Sequence, residues 1–145
     1  MRDLLLIPRL LVAAGSLMII GLGCVHMLMT FFSSRFEPRN SSVLSEMKMT
    51  PPMLTRQTSI WKMWIGFNAS HSLGAIFFGT INLLLITSYS QVYLSILFQL
   101  INLLTLFFYL FLAKKYWFRT PFRGLLFSTL CFVVAFVMFL FMVKG

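Results

Sequence analysis

The strongest metal and haem ligands in this sequence are two imidazoles, His26 and His71, each set inside an apolar run. Counted from the loop-side ends of their runs, His26 lies about six residues in and His71 about seven to ten. At 1.5 Å per residue the depths differ by only a few ångströms. One chemistry this admits is a haem held between His26 and His71 in a redox membrane protein. The other is a pair of neutral histidines hydrogen-bonded among helices. No third histidine, no intramembrane carboxylate and no cysteine at ligand spacing stands with them, so no metal site is expected. The sequence has no Ser-His-Asp set, HExxH, P-loop or paired intramembrane carboxylates, and no catalytic residue is assigned. None of the three acids lies within an apolar run, which disfavours proton pumping through a carboxylate relay.

The amides and hydroxyls form a second set. Gln91, Ser95, Gln99, Asn102, Thr105 and Tyr109 recur at three- and four-residue steps, which a helical period of 3.6 puts on one face. Asn68, His71, Ser72, Ala75, Gly79 and Asn82 make a matching stripe, extended by Trp64, and His26 with Thr30 makes a shorter one. Ser128, Cys131 and Ala135 form a weaker line. A polar side chain in lipid costs free energy unless it turns to a neighbouring helix or a hydrated space. Two readings follow. The stripes either converge on a ligand cavity formed by Asn68, His71, Ser72, Asn82, Gln99, Asn102 and His26, opening toward the loop side, or they bond helix to helix at about 1 kcal/mol or less per contact. Beside the second stripe runs Gly66, Ser70 and Gly74, a small-residue spacing suited to close helix packing.

The elements that must carry these residues are set by composition. Of 145 residues 59% are hydrophobic and 10% charged, with a mean hydropathy of +0.91, more apolar surface than a soluble domain of this size can hide. Four runs, 10–32, 65–86, 92–113 and 124–143, reach the roughly 20 residues a hydrocarbon core requires, and in lipid each must be helical. The expected fold is all-α, an integral membrane four-helix transmembrane bundle in a single domain, 1–145. Pro8 marks the first helix start, Ser90 is the expected cap of the third, and Thr120-Pro121 the cap and first position of the fourth. Residues 87–91 form a tight turn, and 33–63 a long polar loop with a short helix near 42–49.

Charge sets the orientation. Nine Lys and Arg flank the loops 33–63 and 114–123 against three, Arg2, Arg9 and Lys144, on the side of the termini. The excess puts both loops in the cytoplasm and both termini outside. Lys114, Lys115, Arg119 and Arg123, interleaved with aromatics, read as an anionic lipid headgroup site or as simple interface anchors. A net charge of +9 distributed along membrane edges does not make a nucleic-acid face; the expected partners are membrane lipids, a second copy or another membrane protein. Cys24 and Cys131 have no pairing motif and are expected as free, buried thiols. The first apolar run is too long for a cleaved signal and is expected to be retained.

Residues 61–74 read Trp-Lys-Met-Trp-Ile-Gly-Phe-Asn-Ala-Ser-His-Ser-Leu-Gly. This resembles a Gly-Phe-Asn-x-Ser-His-Ser-x-Gly signature that opens the second helix in small bacterial four-helix membrane proteins, which also carry Tyr-x-Phe-x-x-Pro before the fourth, matched by Tyr116, Phe118 and Pro121. More distantly the layout is similar to the DoxX-like superfamily, whose catalytic and partner residues are not present. The resemblance implies fold and a bacterial inner-membrane location, not an activity. The leading functional expectation is non-enzymatic binding of a lipid-like or small amphipathic ligand, or support of a membrane partner complex; the alternative is a haem protein using His26 and His71.

Overall fold

The computed structural model describes residues 5–144, so Arg2 of the charge count lies outside the described residues. The chain forms α1 (Leu6–Phe32), α2 (Ser41–Met49), α3 (Ile60–Ser88), a short 3-10 helix (Ser90–Leu94), α4 (Ile96–Tyr116) and α5 (Arg119–Lys144), with no strand among the described residues. Helices α1, α3, α4 and α5 are long and apolar enough to cross a membrane, and the chain is a multi-pass helical membrane protein. Their outer faces agree with this: Phe77, Leu104 and Phe141 are 66%, 73% and 75% exposed, a cost water would impose and acyl chains do not.

The helices run past their apolar runs at several ends. Pro8 and Pro121 sit within first turns, where the missing N–H is one of four the helix leaves unpaired anyway. The expected cap Ser90 instead opens the 3-10 turn, and Ser95 caps α4 by accepting from Phe98 N at 3.4 Å. The reason is Tyr93: at 1% exposure it is folded inward, so the connection dips into the helices before α4 begins. Helix α2 is capped by Asn40, whose Oδ1 accepts from Ser42 N at 3.0 Å.

The residues group into two units. The first takes the described residues of 1–22 and 76–145, hence part of α1, part of α3, and α4 and α5, and is a four-helix bundle. Its core contains Val12, Ile19, Ile86, Leu106, Phe132 and Phe139. Close approach depends on glycine at three places, one of them Gly124, where a Cβ would stand 2.8 Å from Leu22 Cδ1. A Cβ at Gly79 would stand 2.7 Å from the Ser16 carbonyl oxygen and from Ile20 Cγ1, and one at Gly15 would stand 2.9 Å from Phe132 Cε2. Ser128 Oγ donates to Gly15 O in the same contact. At one end Arg9 donates from Nε and Nη2 to Ile86 O at 3.3 Å and from Nη2 to Thr87 O at 3.3 Å, closing carbonyls that the last turn of α3 leaves open.

The second unit is Gly23–Ala75: part of α1, the polar loop with α2, and part of α3. Trp64 Nε1 donates to Phe36 O at 3.2 Å, and Ile60 N donates to Thr50 O at 2.9 Å, fixing the loop at both ends. Lys48 of α2 holds its Nζ 5.8 Å from the Trp61 ring centroid.

Of the residues expected to pack closely, Gly66, Ser70 and Gly74, the first two are exposed. Gly66 has nothing within 4 Å of its Cβ position, whereas the close approaches fall at Gly15, Gly79 and Gly124. Both cysteines are free, but only Cys131 is buried; Cys24 is exposed on α1.

Candidate functional site

The seven residues expected to share one cavity form two clusters, one in each unit. Asn82, Gln99 and Asn102 belong to the bundle, where they are 1%, 5% and 4% exposed. Asn82 Nδ2 donates to Asn102 Oδ1 at 3.1 Å and to Phe78 O at 2.9 Å. Tyr93 OH donates to Asn82 Oδ1, and Gln99 Nε2 donates to Tyr93 O at 2.6 Å. Burial pushes the Tyr93 phenol far above its ordinary range, which keeps it a donor. The cavity beside this network is about 10 Å³, bordered by Tyr93, Gln99, Asn102 and Phe132, and Asn102 Nδ2 is the one amide N–H in it with no protein acceptor. Such a space holds a single water at most. In the bundle, the amides therefore tie α3, the 3-10 turn and α4 to one another.

His26, Asn68, His71 and Ser72 belong to the second unit. His26 Nε2 meets Asn68 Oδ1 at 2.9 Å, so that nitrogen carries the proton and the amide oxygen accepts. Asn68 Nδ2 donates to Trp64 O and Ser72 Oγ donates to Asn68 O, each at 2.8 Å. The His26 and His71 rings lie edge to face with centroids 5.7 Å apart. Haem ligation by both would require each to turn a free nitrogen to a common iron across the macrocycle. Here His26 Nε2 is already engaged by Asn68.

Phe36 covers the other side of His26, ring centroids 4.6 Å apart. Beyond it is a cavity of about 260 Å³, lined by Thr30, Phe31, Ser33, Phe36, Glu37, Trp61 and Ile65. The local sequence builds it. Helix α1 ends at Phe32, Ser33 Oγ folds back onto Met29 O at 2.8 Å, and Glu37 N closes a turn on Ser34 O at 3.0 Å, so Phe36 and Glu37 come round beside the end of α1. Thr30 Oγ1 donates to His26 O at 2.8 Å, leaving its lone pairs for a guest. Ile65 and Trp61, one helical turn apart, close the α3 side.

Of the residues bordering this cavity, Thr30 stands out in the sequence beside His26 and Trp61 opens the 61–74 run, but no spacing joins them. Phe31, Phe36 and Ile65 carried no signal that sets them apart in so apolar a chain. Tyr93 was equally hidden, since its role depends on a turn that bends inward. Lys114, Lys115, Arg119 and Arg123 are all exposed at the α4–α5 turn, with Lys115 Nζ 5.2 Å from the Tyr116 ring centroid. No group of three or more metal-ligating side chains occurs among the described residues.

Comparison with protein-family models, with curated proteins and with solved structures returned no match.

Proposed function

We propose that this membrane protein binds the polar end of a lipid-like amphipath, without chemistry, in the cavity bordered by Thr30, Phe36, Glu37, Trp61 and Ile65. The observation that carries this reading is the size contrast between the two polar regions. The bundle network leaves about 10 Å³, whereas the cavity beside Phe36 measures about 260 Å³ and is open to the outside. Small-molecule clefts usually measure about 300–1,000 Å³, so this one suits a headgroup and leaves acyl chains in the bilayer. His26, Asn68 and His71 stand behind Phe36 and hold the wall that the headgroup meets. The bundle amides Asn82, Gln99 and Asn102 position helices and touch no ligand.

The site lies at the end of α1 and start of α3 that the excess of Lys and Arg assigns to the cytoplasmic side of a bacterial inner membrane. Arg9 supports that assignment. It is one of the few cations counted for the opposite side, and it is taken up in closing the end of α3. A second reading concerns a partner: the exposed Gly66 and Ser70 give another membrane helix a place to approach closely.

Native mass spectrometry after mild detergent extraction tests the ligand reading. The wild-type protein is expected to retain one amphipath per chain, and Ile65→Trp, which fills the cavity, to retain none while melting within a few degrees of wild type. Equal retention by both proteins overturns it.

A further inference from the structure

We propose that the group this cavity takes is an alkylated or primary ammonium, the cationic headgroup of a membrane amphipath. The inference rests on the ligand reading above and adds the charge of the guest. Three rings, Phe31, Phe36 and Trp61, border the space together with one carboxylate, Glu37, and two hydroxyls, Thr30 and Ser33. Ring faces carry negative quadrupole potential and attract a cation within about 6 Å, most strongly when it is weakly hydrated, as alkylated ammonium is. A carboxylate beside such rings supplies the full opposite charge. Glu37 makes no ion pair with any described residue, so its charge is available to a guest.

The lining also argues against the opposite sign. The chain carries +9 overall, and this unit alone holds Arg35, Arg39, Lys48, Arg56 and Lys62. All five are exposed, and none borders the cavity. An anionic headgroup would look for an Arg or Lys to bond and would meet Glu37 instead. The Nζ of Lys48 already stands 5.8 Å from the Trp61 centroid, so the contacts offered to a guest ammonium are the Glu37 carboxylate and the Phe31 and Phe36 rings.

The test uses the full-length protein in maltoside micelles and follows Trp61 fluorescence, with Trp61→Phe as the blank. Decyltrimethylammonium, decyl sulfate and an uncharged decyl glucoside are titrated at equal ionic strength. The net charge of the protein favours the sulfate; the cavity favours the ammonium. The trimethylammonium probe is expected to saturate the signal roughly tenfold more tightly than the glucoside. That margin should vanish in Glu37→Gln and persist in Glu46→Gln, an acid on α2 that does not border the cavity. Sulfate or glucoside binding as tightly as the ammonium, or an unchanged margin in Glu37→Gln, overturns the inference and leaves the ligand reading standing. Binding of none of the three overturns both. Tetramethylammonium, which has no chain, separates the sources: weak competition assigns the site to a lipid headgroup, and full competition to a free organic cation, the ammonium chemistry being the same.

Discussion

Asn68 and Asn82 are the same residue type on the same helix, and each donates its Nδ2 to the carbonyl four residues back, Trp64 O at 2.8 Å and Phe78 O at 2.9 Å. Their oxygens accept from a ring nitrogen, His26, and a ring hydroxyl, Tyr93. What differs is the chain that arrives beside them. Around Asn82 an inward-folded turn brings Tyr93, and α4 brings Gln99 and Asn102, so the amides consume one another and about 10 Å³ is left. Around Asn68 the neighbours are histidines and a polar loop, and the segment that follows α1 turns its Phe36 and Glu37 to border an open space. An intramembrane amide is sealed when helices close over it, and stands near an open cavity when a loop does.

The largest consequence is for stability. Asn82→Leu leaves Asn102 Oδ1 buried without its donor and the Tyr93 hydroxyl with only its long bond to the backbone oxygen of residue 82 at 3.4 Å; at about 1–3 kcal/mol for each bond lost, unfolding in mixed detergent–dodecyl sulfate micelles should show a loss of about 3 kcal/mol. Asn68→Leu, in a half-buried cluster, should lose about 1 kcal/mol or less, as intramembrane side-chain hydrogen bonds usually do. Equal losses at the two positions would erase the distinction drawn here.

Glycine gives the next contrast along α3. At Gly79 an added Cβ meets the Ser16 backbone oxygen and Ile20 Cγ1 at 2.7 Å, and backbone does not yield as a side-chain tip does. Gly79→Ala should therefore cost about 2 kcal/mol by overpacking. Arg9→Ala comes below it, at about 1 kcal/mol, since its bonds to Ile86 O and Thr87 O are long and partly exposed. Thermal melts of the three variants in one detergent should rank Asn82→Leu, then Gly79→Ala, then Arg9→Ala.

Much of the fold was legible because hydropathy acts locally: the four apolar runs, the short loop helix and the inward turn of Gln99 and Asn102 follow from length and period. The helix limits were less so. Residues such as Ile60 and Arg119 extend a helix through hydrogen bonds that hydropathy does not report, and Ser95 rather than Ser90 became the α4 cap because Tyr93 had to reach Asn82. The site was legible in part. His26, Asn68 and His71 stood out as expensive groups in lipid, while Phe31, Phe36 and Ile65 are ordinary apolar residues whose meeting depends on how the polar segment 33–59 folds back, a non-local event with no period to read. Gly66 and Gly79 look alike in sequence, and it is the presence of α1 beside Gly79 that makes it a packing residue within this chain.

Gly66 supplies the smallest expected effect and the most discriminating use of it. With nothing within 4 Å of its Cβ position, Gly66→Ala relieves the helix of a glycine at no steric cost, so stability should stay level or rise by about 0.5–1 kcal/mol. That holds for a chain whose Gly66 faces acyl tails. If a second copy packs there, the added methyl intrudes at the contact, and the deficit relative to wild type grows as protein concentration in the micelle rises, because association is then part of folding. Melting Gly66→Ala and wild type at two protein-to-detergent ratios separates the cases. A ratio-independent result assigns this face to lipid; a loss that grows with concentration assigns it to a partner helix and makes Gly66 the counterpart, between chains, of Gly79 within one.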